Sequence, residues 1–459
     1  MDPRLGDDLV RLPDLLQETR EHAVRILREL GERPVARPPA RREPTALPER
    51  GAGASGALET FARRWEPGFS AGAGPRYLGF VTGGTTPAAL AGDWLTGTLD
   101  QNAVTNLDSS AADLERETVS WVRELLGLPG AYEGAFVSGA TMSNVTGLAI
   151  AREWVGERRG VSIAEQGIAA LGPVPVLSGS PHSSIAKALS LLGLGRSAIR
   201  QVGVLPGREA VDVDRLAAAL RELDGEPAIV VANAGTVNTV DFDDLRAVAA
   251  LREHYPFWLH ADAAFGAFAA LSPEHAHLVD GLGEADSICV DLHKWLNVPY
   301  DSAIQLTRRR DLQTRVFRNS AAYLGPVGEE PDFVHLTPES SRRLRALAAW
   351  FTLAAYGREG HAEIVRRDIA LAARLGERLA AMPAYRLLAP VRLNVVCFTP
   401  AADPSRAGAV ARAVAASGEA FLTPTEYAGV PALRAAFSNW RTTEADVERV
   451  AAVLEAAAG

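Results

Sequence analysis

Residues 287–295 read Ser287-Ile-Cys-Val-Asp-Leu-His-Lys-Trp295, an apolar run that ends in the pair His293 and Lys294. The run predicts a buried strand, and a lysine just beyond such a strand can have a desolvated amine of the kind that forms Schiff bases. Most lysines near strand ends are solvated surface charges. The pair therefore indicates a functional amine only if the rest of the chain supplies partners for it.

Short apolar segments and Ala- and Leu-rich segments alternate around this stretch. The first kind predicts strands at 134–137, 174–177, 199–204, 228–232, 257–260, 287–290 and 303–307, and the second predicts helices at 143–155, 184–193, 213–223 and 242–253. Such alternation predicts right-handed crossovers and an α/β fold with a mostly parallel, seven-stranded sheet covered on both faces. Ligands bind such sheets at the carboxyl ends of the strands.

The segments that flank this region differ from it in composition and in the spacing of apolar residues. Residues 7–30 have apolar side chains near helical spacing, and residues 31–57 are dense in Pro, Arg, Gly and Ala, which predicts a helix followed by an arm. After residue 340 we expect helices at 341–357 and 361–381, short strands near 385–390, 395–399 and 433–438, and a last helix capped by Thr443 and Asp446. We therefore expect an N-terminal helix and arm over 1–75 that clasps a partner, a large α/β domain over 76–340, and a smaller α+β domain over 341–459.

Composition excludes several classes of function. The 459 residues carry 47 Lys and Arg against 56 Asp and Glu, and this net charge of −9 argues against binding a nucleic acid backbone. The N-terminus is acidic and lacks an apolar segment, so we expect no secretory signal, and no apolar run approaches the roughly 18 residues of a membrane span. Cys289 and Cys397 lie in apolar runs without the spacing of a metal site, which favours reduced thiols and a cytoplasmic protein.

Three polar segments follow predicted strands. Residues 138–144 read Ser-Gly-Ala-Thr-Met-Ser-Asn, and small residues with hydroxyls at a helix N-terminus suit a phosphate group, although a plain capped helix has the same residues. His182 follows the next strand, where an imidazole can stack on a planar ring or serve a structural role. Thr236 follows a further strand and places a hydroxyl at the edge of the sheet, where backbone groups can also satisfy it.

Asp262 lies among apolar neighbours in His260-Ala-Asp-Ala-Ala264. A buried carboxylate costs several kcal/mol unless it is paired, so we expect a cationic partner, either a distant side chain or a protonated pyridine nitrogen. Lys294 follows 32 residues later (294 − 262), an interval that fits one crossover to the neighbouring strand. An acid and an amine on adjacent strands, beside a phosphate site and a histidine, suit a pyridoxal phosphate site.

From about Arg76 to the C-terminus, the sequence resembles the group II pyridoxal-phosphate-dependent decarboxylases, which include the aromatic amino acid and glutamate decarboxylases. The segment 293–295 is similar to their lysine signature, 260–264 to their aspartate signature, and 433–443 to their closing strand. The resemblance implies a fold-type I enzyme, like aspartate aminotransferase, that binds pyridoxal phosphate. It also implies a homodimer with shared active sites that converts an L-amino acid to its amine and carbon dioxide.

The resemblance also implies roles for individual residues. Those expected to bind the cofactor are Lys294, His293, Asp262, His182, Thr236, Gly139, Ala140, Thr141 and Ser143, and those expected to bind substrate are Thr82, Gln101, Ala103 and Arg434. Lys294, His182 and Tyr323 are expected to take part in catalysis. A tyrosine at the place of Tyr323 lies in the family on a loop that reaches the partner's site and returns a proton to the α-carbon, whereas relatives with phenylalanine there tend to form aldehydes. A loop tyrosine without a role is the alternative.

The sequence departs from the family pattern in two places. Asp291-Leu292 stands where many relatives have Asn-Pro, and because an acid near a phosphate is unfavourable, we expect Asp291 to face elsewhere or to pair with a base. Gln101 and Ala103 fall where the aromatic enzymes have apolar side chains, which argues against an aromatic substrate and leaves the identity of the substrate side chain open. Other reactions of the cofactor also stay open, namely carbon–carbon lysis, transamination and decarboxylation coupled to oxidation, as does a non-catalytic relative that binds the cofactor.

Overall fold

A seven-stranded sheet lies at the centre of the structure, a computed structural model that describes residues 1–37, 42–320 and 327–458. Its strands are β1 (Glu133–Val137), β2 (Val176–Ser178), β3 (Ile199–Gln201), β4 (Ala228–Asn233), β5 (Phe257–Asp262), β6 (Ser287–Val290) and β7 (Ala303–Thr307). They lie in the order β1-β7-β6-β5-β4-β2-β3, and only β7 runs antiparallel to its neighbours. The predicted mostly parallel, seven-stranded sheet is confirmed.

Helices lie on both faces of this sheet and at both ends of the chain. They are α1 (Pro3–Val10), α2 (Leu12–Glu29), α3 (Gly53–Arg64), α4 (Pro87–Leu99), α5 (Ala111–Leu125), α6 (Ala140–Arg158), α7 (Ile163–Gln166), α8 (Ser183–Leu191), α9 (Val213–Arg221), α10 (Leu245–Ala250), α11 (Leu292–Trp295), α12 (Arg310–Phe317), α13 (Ala346–Ala380), α14 (Ala407–Ser417) and α15 (Glu444–Ala458). The strands β4, β5 and β6 are buried along their whole length. Their continuous apolar sequences follow from this cover on both faces.

The N-terminal and C-terminal helices differ from the predicted ones. The single helix expected at 7–30 is two helices that break at Arg11, because Pro13 has no N–H to donate and fits only the first turn of α2. The two helices expected at 341–357 and 361–381 form one element, α13, with a kink at Gly357. Gly357 has φ 57° and ψ −167°, a conformation that glycine adopts at little cost.

A second sheet of four antiparallel strands follows α13. Its strands are β8 (Tyr385–Leu387), β9 (Val395–Pro400), β10 (Thr423–Tyr427) and β11 (Val430–Ala436), in the order β10-β11-β9-β8. A two-residue turn joins β10 to β11, and both of its residues, Ala428 and Gly429, have positive φ, as tight hairpins require. The strand β10 and the helix α14 were not among the predicted elements.

The core of the large sheet continues past residue 340. Buried Leu347 and Leu353 of α13 belong to the same apolar cluster as Leu259 of β5 and Ile288 of β6. The division into 1–75, 76–340 and 341–459 stays a prediction. No helix within the described residues combines the length and apolar character that crossing a membrane requires.

Candidate active site

A cavity of about 420 Å³ opens where β4, β5 and β6 end. Asn233 and Asp262 are the last residues of β4 and β5, and Asp291 follows β6. The cavity wall comes from 138–142, 180–182, Ser184, Glu209, Asn233, 235–238, Asp262, 264–265, Asp291 and 293–294. The wall therefore brings together most of the side chains that the sequence predicts for a cofactor.

The N-terminus of α6 forms one end of the cavity. Gly139 is the residue before the helix, no side chain caps it, and Gly139, Ala140 and Thr141 line the cavity. The first backbone N–H groups of a helix have no partner within the helix, and the helix dipole adds positive charge there. This end suits a phosphate group. The Ser143 hydroxyl donates instead to the Ile304 carbonyl and is fully buried outside the cavity wall.

Lys294 lies in α11, four residues beyond the end of β6 at Val290. Its Nζ is 3.3 Å from Asp291 Oδ2, and His293 Nδ1 is 3.0 Å from Asp291 Oδ1. Asp291 therefore pairs with two bases, which confirms one of the two outcomes expected for this carboxylate.

Asp262 faces the same cavity from the neighbouring strand. Its backbone pairs with Cys289 of β6, which confirms that the acid and the amine follow adjacent strands. Its carboxylate accepts hydrogen bonds from Asn144 Nδ2 at 3.0 Å and from the Ala264 N–H at 3.3 Å. Among the described residues, no lysine or arginine forms an ion pair with it. A carboxylate held only by neutral donors leaves room for a cationic ligand atom.

His182 precedes α8 and lines the cavity. Its Nδ1 lies 2.7 Å from Ser184 Oγ and accepts the Ser184 N–H at 3.2 Å. Burial is the largest influence on this imidazole and lowers its pKa, so the ring is neutral at pH 7. An amine, a carboxylate, a neutral imidazole and a helix N-terminus around one cavity fit pyridoxal phosphate.

Thr82, Gln101 and Ala103, which are predicted to bind substrate, do not line this cavity. Thr82 lines a second cavity of about 690 Å³, together with Phe80 and Tyr300. Tyr300 contacts His293, with ring centroids 4.2 Å apart, so the second cavity borders the first. Gln101 lines a shallow surface groove and donates to the Leu99 carbonyl, and Ala103 is fully buried.

Arg434 and Tyr323 complete the predicted set. Arg434 lies in β11 behind the cavity wall, where its Nη1 donates to the Val237 carbonyl at 2.6 Å, and burial lowers its pKa to about 10. Tyr323 lies outside the described residues. The roles predicted for individual residues stay predictions.

Two side chains that contact predicted site residues were not expected from the sequence, Glu209, which lines the cavity, and Asn144, which does not. Glu209 Oε2 accepts hydrogen bonds from the hydroxyls of Thr236 at 2.6 Å and Thr239 at 2.7 Å. The Thr236 hydroxyl therefore donates to Glu209, so its proton is not available to a ligand. The second is Asn144, which belongs to the quoted segment 138–144 and contacts Asp262. Neither residue has a local sequence signal, because their partners come from distant segments.

The fold and the cavity define a fold-type I enzyme of the pyridoxal phosphate class. Residues 38–400 match the family described as "Pyridoxal-dependent decarboxylase conserved domain", and the chain belongs to this family of pyridoxal-phosphate-dependent carboxy-lyases. The predicted family, fold class and cofactor are confirmed.

Known proteins similar to the chain differ in their named activities. An aromatic-L-amino-acid decarboxylase of Bacillus atrophaeus is 30% identical over 332 residues, which cover 71% of this chain and 67% of that protein. The crystal structure of Oryza sativa TDC with PLP and tryptamine matches with a TM-score of 0.91 at 22% identity, covering 100% of this chain and 99% of the other. Rhodiola rosea 4-hydroxyphenylacetaldehyde synthase matches with a TM-score of 0.87 at 22% identity, covering 98% of each chain. At these identities the two structures establish the fold alone.

Proposed function

We propose that the protein converts an L-amino acid to its amine and carbon dioxide. The observation that carries this proposal is the meeting of Lys294, Asp262, His182 and the N-terminus of α6 around one cavity. Bound pyridoxal phosphate supplies an electron-accepting ring and an aldehyde that reacts with amines.

Each of these groups has a distinct task in the proposal. Lys294 would hold the cofactor covalently, and the N-terminus of α6 would bind its phosphate. Asp262 would accept a hydrogen bond from the protonated ring nitrogen and keep that proton in place. His182, neutral and held at Nδ1 by Ser184, would offer a flat face to the ring.

The substrate carboxylate is assigned to Arg434. The Nε of this guanidinium is buried and has no hydrogen-bond partner among the described residues, and no described carboxylate forms an ion pair with the side chain. A buried cation with free donors suits a carboxylate ligand. The predicted wall residues Thr82, Gln101 and Ala103 leave the substrate side chain open.

A homodimer accompanies the proposed activity. Gln101, which is expected at the substrate, lies in a surface groove and lines no part of the first cavity within one chain. Exposed apolar side chains at Leu9, Leu16, Leu99 and Leu107 offer surface for a second copy. Light scattering after size exclusion measures the mass in solution, and a monomer with full activity would contradict this part. We also propose a cytoplasmic location, supported by two buried cysteines that are free thiols.

The second candidate reaction is decarboxylation coupled to oxidation, which yields an aldehyde. The likeness in fold to an aldehyde synthase favours keeping it as an alternative. Tyr323 favours the amine product, because the resemblance assigns this residue the return of a proton to the α-carbon.

One experiment separates the two reactions. The purified enzyme with pyridoxal phosphate is incubated with acidic, small polar and aromatic L-amino acids while carbon dioxide, amine, aldehyde and hydrogen peroxide are measured. We expect carbon dioxide and amine in equal amounts, no product from Lys294→Ala, and a shift towards aldehyde with Tyr323→Phe. Aldehyde and oxygen consumption with the unmodified protein would refute the proposal.

A further inference from the structure

A buried network of hydrogen-bonded side chains lies beneath the cavity. It begins at Trp258, whose Nε1 donates to Ser287 Oγ at 2.9 Å, and Ser287 Oγ lies 2.7 Å from His260 Nδ1. His260 Nε2 lies 2.9 Å from Asn144 Oδ1. All four side chains are buried, and three of them, Asn144, His260 and Ser287, have no exposed surface.

Asn144 is where this network divides. Its Nδ2 donates to Asp262 Oδ2 at 3.0 Å and to Ser184 Oγ at 3.1 Å. Ser184 Oγ in turn lies 2.7 Å from His182 Nδ1. The amide of Asn144 therefore contacts the carboxylate assigned to the ring nitrogen and, through one hydroxyl, the imidazole assigned to the ring face.

The donor and the acceptor of each hydrogen bond in this network follow from the groups at its two ends, the Asp262 carboxylate and the Trp258 indole N–H. The Asp262 carboxylate only accepts, so the Asn144 NH₂ group faces it and Asn144 Oδ1 faces His260. His260 Nε2 must then carry a proton. Burial lowers the pKa of His260 to about 4, so its Nδ1 is unprotonated and accepts the Ser287 hydroxyl, which itself accepts from Trp258.

The same reasoning fixes the tautomer of His182. Its Nδ1 accepts the Ser184 backbone N–H and therefore carries no proton. The Ser184 hydroxyl, which accepts from Asn144, donates to this nitrogen as well. A neutral His182 then carries its proton on Nε2.

The backbone of α6 is fitted to this network at Gly147. A Cβ atom there would lie 2.7 Å from His260 Cε1 and 2.9 Å from His260 Nδ1. The absence of a side chain at 147 lets the helix that carries Asn144 approach the imidazole closely.

We propose that Asn144 is a positioning residue for the cofactor, and that its amide orients the Asp262 carboxylate and fixes the Ser184–His182 pair in one hydrogen-bonded state. The proposal depends on Asp262 and His182 contacting pyridoxal phosphate, and it does not depend on which product forms. Its prediction is that the affinity for pyridoxal phosphate depends on the hydrogen that Asn144 donates to Asp262.

The test replaces the amide by an isosteric carboxyl group. Asn144→Asp places a second carboxylate against Asp262, and the repulsion raises the pKa of the new group. Near pH 8 we expect pyridoxal phosphate to bind about 100-fold more weakly than to the unmodified protein. Near pH 5 we expect its affinity to return to within about threefold, because the protonated group donates its one hydrogen to Asp262 and loses only the bond to Ser184. Asn144→Leu, which cannot donate, should lose about tenfold at both values.

Other ionisable groups near Asn144 are shared by every variant. They are Asp262, His260, His182, Cys289, Asp291 and Lys294. Each affinity is therefore taken as a ratio to that of the unmodified protein at the same pH, measured by titrating cofactor-free protein with pyridoxal phosphate and following absorbance. Thr146→Val is the matched control, because Thr146 is equally buried on α6 and its hydroxyl has no partner among the described residues.

Two results would overturn the proposal. One is an Asn144→Asp protein whose affinity for pyridoxal phosphate, relative to the unmodified protein, is the same near pH 5 and near pH 8. This result would count against the proposal whether the affinity is unchanged or is as weak as that of Asn144→Leu. The other comes from nitrogen-15 NMR of the unmodified, cofactor-free protein, with His182→Asn to assign the signal. A proton on His182 Nδ1 would contradict the network even if no variant of Asn144 folds. The two measurements report the affinity for pyridoxal phosphate and the position of the proton on His182. Neither depends on whether the enzyme forms an amine or an aldehyde.

Discussion

Gly83 contacts the backbone of the segment that carries Lys294, and an alanine there should displace this segment. The Gly83 N–H donates to the His293 carbonyl at 3.1 Å. A Cβ atom at 83 would lie 1.7 Å from the Lys294 carbonyl oxygen and 3.1 Å from Asn297 Cγ. Gly83 is not among the glycines with positive φ, so the effect of Gly83→Ala is steric rather than conformational.

The size of the displacement follows from these distances. A carbon and an oxygen in contact lie roughly 3.3 Å apart, so the two segments must separate by about 1.6 Å, starting from 1.7 Å. A misplacement of about 1 Å at a reacting group costs about 100-fold in rate. We therefore expect Gly83→Ala to lower the decarboxylation rate at least 100-fold, and overpacking of backbone against backbone to lower the free energy of unfolding by about 1–3 kcal/mol.

Two measurements separate misplacement from unfolding. Borohydride reduction followed by mass spectrometry quantifies pyridoxal phosphate attached to Lys294, and urea denaturation gives the free energy of unfolding. Gly130→Ala is the control, because a Cβ there meets no atom within 4 Å and the residue is exposed. It should change stability by less than about 0.5 kcal/mol and leave the rate unchanged. A Gly83→Ala protein with normal attachment and rate would refute the steric argument.

Three further predictions concern buried charge. Arg342→Met should lower the free energy of unfolding in urea by about 3–5 kcal/mol, because it strands Glu115, whose carboxylate lies 2.7 Å from Arg342 Nη2 with both side chains fully buried. The double variant with Glu115→Gln should lose less than Arg342→Met alone, and an equal or larger loss would contradict this reason. Burial lowers the pKa of His361 to about 4, so the unfolded chain binds a proton that the folded chain does not as pH falls from about 6.5 to 4. Stability should fall by about 3 kcal/mol over that interval, and His361→Gln should remove this part of the pH dependence in urea titrations. Arg434→Met should raise the substrate KM about 10- to 100-fold, because a charge-assisted hydrogen bond to the substrate carboxylate is lost, and should leave the affinity for pyridoxal phosphate unchanged. An unchanged KM would show that Arg434 does not bind the substrate.

The large sheet could be predicted from the sequence because its central strands are buried on both faces. Continuous apolar runs mark β4, β5 and β6 without reference to any other part of the chain. The strand β10 has the opposite character, with polar residues and partial exposure at the edge of the small sheet. Its turn, Ala428-Gly429, lacks the Asn-Gly pair that usually indicates a hairpin.

The same distinction applies to the site. Lys294, Asp262 and His182 lie at or just beyond the ends of apolar strands, so their positions at one edge of the sheet follow from the order of elements. Asn144 and Glu209 acquire their contacts only from tertiary structure. Asn144 meets a residue 118 positions away, and Glu209 meets one 27 positions away. Local pattern carries no information about such pairs.

The charges around the cavity support the proposal that the N-terminus of α6 binds the phosphate of the cofactor. Among the described residues of the cavity wall, the carboxylates are Glu209, Asp262 and Asp291, and the one ammonium group is that of Lys294. That ammonium group is paired with Asp291, and the segment 138–142 contains no basic side chain. An anionic phosphate at this end therefore depends on backbone N–H groups, hydroxyls and the helix dipole rather than on a lysine or arginine. Dipoles of this kind are fixed by the fold, so we expect residues that hold α6 against β5 to influence cofactor binding without contacting the cofactor.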